Sequence, residues 1–144
     1  MNGLLDKVLI DVIEAPATAG TSTLTSDTVD LAGWTGCLFI AKLGDVTSGS
    51  VLGLAIHDSE DDTNYDDLEG PLAFTAGASD ADNKFLVLDV VRPEKRYLRA
   101  VLTRGSQNAV VEGIWAIKYG PLSTPVTQGS DVLLSDTLAN PARA

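Results

Sequence analysis

Short apolar runs rich in valine, isoleucine, leucine and aromatics, separated by glycine, serine, threonine and aspartate, constrain this chain more than any other feature. They are "KVLIDVI" (7–13), "TVDL" (28–31), "GCLFIAKL" (36–43), "VLGLAIHD" (51–58), "KFLVLDVV" (84–91), "RYLRAVLT" (96–103) and "AVVEGIWAIKY" (109–119), with a shorter "PLAFT" (71–75). No amphipathic helical period lies between them, so the pattern predicts antiparallel strands. About eight strands in one all-β unit are best closed as two sheets face to face, a jelly-roll-like β-sandwich. A chain of 144 residues buries roughly two thirds of the surface its unfolded form exposes, enough for a core without staples. The sandwich is expected over residues 1–120. From Pro121 the pattern changes, and "PLSTPVTQGSDVLLSDTLANPARA" reads as an extended C-terminal arm, 121–144. Its cluster Val132, Leu133, Leu134 and Leu138 either packs back on its own sandwich or docks on a neighbouring chain.

Alternation assigns faces. In 84–91, Leu86, Leu88 and Val90 share the core side, and Phe85, Val87, Asp89 and Val91 the other. In 109–119, Val111, Gly113, Trp115, Ile117 and Tyr119 form one face, and Glu112, Ile114, Ala116 and Lys118 a mixed one. Trp115 is expected in a core or interface, and Trp34, in "LAGWTG", as a lid over a sheet edge.

Several functions lose support from composition. The single cysteine, Cys37, excludes an internal disulfide and reads as a buried small hydrophobe. With one histidine, His57, and one cysteine, the chain lacks the ligands of a zinc site and the base–nucleophile pairs of common hydrolases. No phosphate-binding glycine loop or nucleophile elbow is present, and no enzyme activity, cofactor or metal is expected. A net charge of -10 and a pI near 4.3 argue against nucleic acid as a partner. The first sixteen residues carry Asp6, Lys7 and Asp11 among their apolar positions, so neither a signal peptide nor a membrane span is expected there.

The densest charge cluster, 57–69, holds seven carboxylates. Asp58, Glu60, Asp62, Asn64, Asp66 and Glu69 fall at the ligand positions of a calcium loop, but Thr63 stands where that loop needs a glycine. A solvated hairpin connection is the expected outcome. The opposite charge concentrates in "RPEKRYLRAVLTRG" (92–105), which carries five of the ten basic residues. Leu98, Ala100 and Leu102 face the core there, which turns Tyr97 and Arg99 outward and leaves Arg96 and Arg104 at the strand ends. These cations either offset the acidic loops of their own domain or, with Arg92, form a contact surface for another protein chain.

The succession "LLDK", "VDLAGW", "FIAKLGDVTSGSVLGLAIHDSEDDTNYDDLEGP", "RPEKRYLRAVLTRG" and "AVVEGIWAIKYGP" resembles the capsid cement or decoration proteins of tailed bacteriophages. The stretch from Asp89 to Arg99 is its most distinctive part, and the likeness runs over residues 4–128. The resemblance implies a small β-sandwich that binds the outside of an assembled head as a homodimer or homotrimer, with the phage major capsid protein as partner. It implies a place on the virion's capsid surface, and in the host cytoplasm during assembly. Arg92, Arg96, Tyr97, Arg99, Arg104, Val132, Leu133 and Leu134 are the candidate interface residues. Another head-completion or tail protein, or a carbohydrate-binding sandwich, are the alternatives.

Overall fold

β-Branched and aromatic residues fit a pleated surface buried on one side, and ten of the eleven strands among the described residues contain them, the exception being a two-aspartate strand. The computed structural model describes residues 3–139 and 142–143. Residues 1, 2, 140, 141 and 144, which the expected domain and arm include, lie outside the described residues. After one short 3-10 turn, Leu4–Asp6, come β1 (Val8–Glu14), β2 (Ala17–Gly20), β3 (Leu24–Thr25), β4 (Val29–Asp30), β5 (Gly36–Val46) and β6 (Val51–Ser59). There follow β7 (Asp66–Asp67), β8 (Leu72–Thr75), β9 (Phe85–Val91), β10 (Tyr97–Gly105) and β11 (Ala109–Tyr119).

One sheet runs β1-β11-β5-β9, with β2 also on β11; the other runs β3-β10-β6-β7, with β4 also on β10 and β8 also on β6. All pairs are antiparallel. Three pairs of short strands share a lane each. β1 and β2 follow one another along β11, β3 and β4 along β10, and β7 and β8 along β6. Merging them leaves eight lanes ordered 1-8-3-6 and 2-7-4-5, which is the jelly roll. The expected count of about eight therefore matches lanes, while the strands number eleven. β2, β3 and β7 were not foreseen, because two to four residues are too few to show a period.

Between the sheets lie Phe39, Leu43, Leu52, Leu54, Leu98, Leu102, Val111 and Ile114, all nearly inaccessible. Each such side chain contributes about 1.5–3 kcal/mol by leaving water. Leu86, Leu88 and Val90 point into this core and Phe85, Val87, Asp89 and Val91 away from it, as the alternation required. Cys37 is fully buried, and burial pushes its thiol up to about 12, which removes the thiolate from ordinary chemistry.

β11 departs from the expected faces. Val111 pairs with Leu43 and Gly113 with Lys42, so two steps along β11 answer one along β5, a β-bulge at Glu112 and Gly113. The extra residue turns Val111, Ile114 and Ala116 all into the core. Val111 thus lies on the opposite face from Trp115, not beside it.

Candidate interaction surfaces

The cationic segment is largely spent within its own chain. Lys95 bonds Asp66 at 2.7 Å and lies 3.5 Å from Asp58. Arg96 holds Asp30 in a fork, Nε and Nη2 each donating at 2.8 Å. Arg99 lies 4.0 Å from the centre of the Tyr65 ring, and its buried Nε has no hydrogen-bond partner. Tyr97 is half-buried, opposite Asp30 on one side and Ser59 on the other. Arg92 is exposed at the corner before β10, with a φ of 51°.

Arg104 corrects the sequence reading outright. It was expected at a strand end as part of an interface, but the inward alternation of Leu98, Ala100 and Leu102 continues to it, and only 5% of it is accessible. It donates to the carbonyls of Ser22 (2.9 Å), Thr18 (2.7 Å) and Ala109 (2.6 Å) and to the Ser22 hydroxyl (3.3 Å). A guanidinium so engaged joins the two sheets at one end of the core and cannot meet another chain.

The Asp30–Arg96 pair gives a pH prediction. The hydrogen-bonded Arg96 guanidinium holds the Asp30 carboxyl down at about 2, against burial, which acts the other way. Because the folded value is depressed, the pair's stabilisation is complete above the unfolded value near 3.8 and is lost as pH falls through about 2. Asp30 is open to solvent, so the energy involved is small, but its titration is distinctive. Carboxyl NMR should place the Asp30 midpoint near 2 and, in Arg96→Gln, close to an ordinary aspartate.

The acidic segment does not form the calcium loop its spacing resembles. Asp58 and Asp66 are register partners on β6 and β7, joined by Lys95. The organiser is Asp61, outside the ligand pattern, whose carboxylate accepts from the backbone of Asn64 and Thr63 and the Ser59 hydroxyl. These donors hold it well below the usual carboxylate range. His57 contacts Asp67 at 2.9 Å. Among the described residues no group of three or more His, Cys, Asp or Glu side chains is placed to hold a metal ion, and no helix is long and apolar enough to cross a membrane.

An open cleft of about 550 Å³ lies at the corner, walled by Trp34, Arg92, Pro93 and Arg96. Trp34 packs, partly buried, against the core, with the Lys118 ammonium 5.2 Å over its ring.

The arm divides in two. Its first part returns to its own domain along the free edge of β1. Val126 N–H donates to the Asp6 carbonyl (2.9 Å). Gln128 accepts from Ile10 N–H (3.0 Å) and donates to the Val8 carbonyl (2.7 Å). Asp131 accepts from Val12 N–H (2.9 Å). Side-chain amide and carboxylate thereby replace the missing neighbouring strand. Beyond that anchor Val132 is partly covered, while Leu133, Leu134 and Leu138 are 91%, 88% and 74% exposed.

An apolar surface across four strands escaped the sequence reading. On the outer side of the β1-β11-β5-β9 sheet the register aligns Val12, Trp115, Ile40 and Val87 in one row across four strands. The next row is Ile10, Ile117, Leu38 and Asp89. Phe85, 54% exposed, lies 6.2 Å from Trp115, and Val91 is 59% exposed. Of the charged groups on this face one pair is compensated, and Asp89 keeps its charge while accepting a hydrogen bond. Tyr119 donates to Asp89 at 2.6 Å, and Lys42 pairs with Glu112 at 3.2 Å. Each strand alone showed a hydrophobic outer position or two; only the register joins them into a patch.

Fold and surface define a jelly-roll sandwich with an apolar row exposed on one outer sheet face. The structure of the PBSX exported protein XepA matches it with a TM-score of 0.54 and 17% sequence identity, over 97% of this chain and 46% of that one. The structure of infectious bursal disease virus, Gx strain, matches with a TM-score of 0.50 and 14% identity, over 83% of this chain and 35% of that one. At these identities the likeness establishes the fold, and this chain spans less than half of either protein. No family model and no curated protein sequence matches the chain.

Proposed function

We propose that this chain is a structural protein of a phage virion, a cement or decoration protein that binds the outside of the assembled head as a homo-oligomer and reinforces it. The observation that carries this reading is the uncovered row Val12, Trp115, Ile40 and Val87, an apolar band on a soluble-looking acidic domain. Patches of this kind mark protein contacts. The fold supports it, being shared with a virus structure and with a PBSX exported protein. In this role the chain catalyses nothing. Its partners are the phage major capsid protein and other copies of itself, with no nucleic acid or membrane. Many copies on a repeating shell turn a modest contact into firm attachment.

A carbohydrate-binding module would use Trp34 in the corner cleft, but one face of that ring lies under Lys118. The test is cosedimentation of the purified protein with emptied heads of the virus that encodes it. Saturation at a fixed ratio to the major capsid protein, with heads that resist heat longer, is expected. Absence of cosedimentation would overturn the reading, and so would a few copies per head, which is the stoichiometry of a completion or tail protein.

A further inference from the structure

We infer that the uncovered outer face of the β1-β11-β5-β9 sheet pairs with the same face of a second copy, about a two-fold axis parallel to the strands. This rests on the homo-oligomeric part of the function proposed above and names the surface and the partner.

Three observations select a second copy as the occupant. The first is charge. Each molecule carries -10, yet on this face Lys42 and Glu112 compensate one another, and Asp89, held by the Tyr119 hydroxyl, stands at the β9 edge. Two like-charged copies can meet here because a two-fold axis along the strands keeps their Asp89 carboxylates on opposite edges, whereas a basic partner would be drawn to the acidic 57–69 segment instead. The second is area. Four strands about 4.8 Å apart and three to four rows of outward residues make roughly 400 Å², while a stable dimer buries about 800 Å² on each partner. The face alone supplies about half of that. The third is the placement of what is missing. β1 and β9 are opposite edges of the sheet. On the β1 edge the arm is fixed to Val12 by Asp131, and Leu133 and Leu134 follow it uncovered. On the β9 edge Phe85, Val87 and Val91 are all exposed apolar residues, two of them more so than any on the β1 edge of the sheet.

A two-fold axis along the strands sets the β1 edge of each copy over the β9 edge of the other. Each arm then lays its leucines on the partner's Val87 and its neighbours, twice, as an isologous contact requires. An axis across the strands would stack β1 on β1 and β9 on β9, setting the two arms against each other and away from the β9 edges.

The experiment is sedimentation velocity on the full chain, with cysteine cross-linking. Wild type is expected to sediment as a dimer and Val87→Glu as a folded monomer, its fold checked by near-ultraviolet circular dichroism. For cross-linking, Val87→Cys and Leu134→Cys are combined in one chain; the native Cys37 is buried and stays silent. Mild oxidation should yield a covalent dimer from the double variant and little from either single one. A wild-type monomer at every concentration would overturn the proposal. So would a dimer that survives Val87→Glu and fails to cross-link, or one cross-linked efficiently by Val12→Cys alone. Head binding is scored separately. A monomer that cosediments with heads sinks this inference and leaves shell attachment standing; a dimer that ignores heads does the reverse.

Discussion

Replacing Arg104 by methionine is expected to lower the free energy of unfolding by about 3 kcal/mol, although the substitution keeps an unbranched stem and adds apolar surface. The reason is the accounting of backbone groups. Arg104 comes from β10 in one sheet, and its guanidinium reaches the Thr18 and Ser22 carbonyls beside β2 and the Ala109 carbonyl of β11 in the other. Methionine donates nothing, so these acceptors lose charge-assisted bonds at a place that is 5% accessible. Lysine should restore only part of the loss, because a single ammonium cannot span three carbonyls in the fork geometry of a guanidinium. Urea unfolding of the two variants measures this, and amide exchange should accelerate first in residues 17–22. A loss under about 1 kcal/mol in the methionine variant would show that water satisfies the carbonyls and that Arg104 is no staple.

The contrast between Arg104 and Arg96 shows what the sequence could and could not convey. Both lie on the inward alternation with Leu98, Ala100 and Leu102, one at each end of the strand. Nothing in the pattern says that one end is closed by β2 and the other opens to solvent. Arg96 reaches an exposed aspartate from β4, while Arg104 is sealed over by a four-residue strand too short to show a period. The lanes of the jelly roll were legible because six of the strands carry seven or more residues, long enough to show alternation or an unbroken apolar run. The broken lanes were not, since their pairing depends on neighbours distant in sequence.

The uncovered face was hidden for a related reason. Phe85, Val87 and Val91 were correctly turned away from the core, but a strand with apolar residues on both sides shows only that both sides are covered or that one is sticky. Deciding that Val12, Trp115 and Ile40 stand in line with Val87 requires the register of four strands from both ends of the chain. The cationic stretch drew attention because its charges are contiguous in sequence. Its partners, Asp30, Asp58 and Asp66, come from elsewhere and could not be counted.

Gly113→Val should cost about 2–3 kcal/mol while leaving the two faces of β11 in place. Glycine takes a φ of 149° here, a conformation that a residue with a side chain adopts only under strain. A Cβ would also stand 3.2 Å from the Trp115 indole nitrogen and 3.4 Å from the Glu14 carbonyl. The bulge can respond in two ways. It can hold and carry the strain, in which case stability falls and the faces are kept. Or β11 can slip by one residue, which would carry Trp115 toward the core and Ala116 outward. Val111 and Ile114 are both inaccessible, and only the bulge lets both face inward, so slipping would expose one of them. That cost exceeds the strain, so the bulge is expected to hold. Denaturant unfolding together with tryptophan emission distinguishes the two. A lowered midpoint with unchanged native emission is the expected result, whereas a blue-shifted native spectrum would mean that the strand had slipped and that glycine alone sets the register of this sheet.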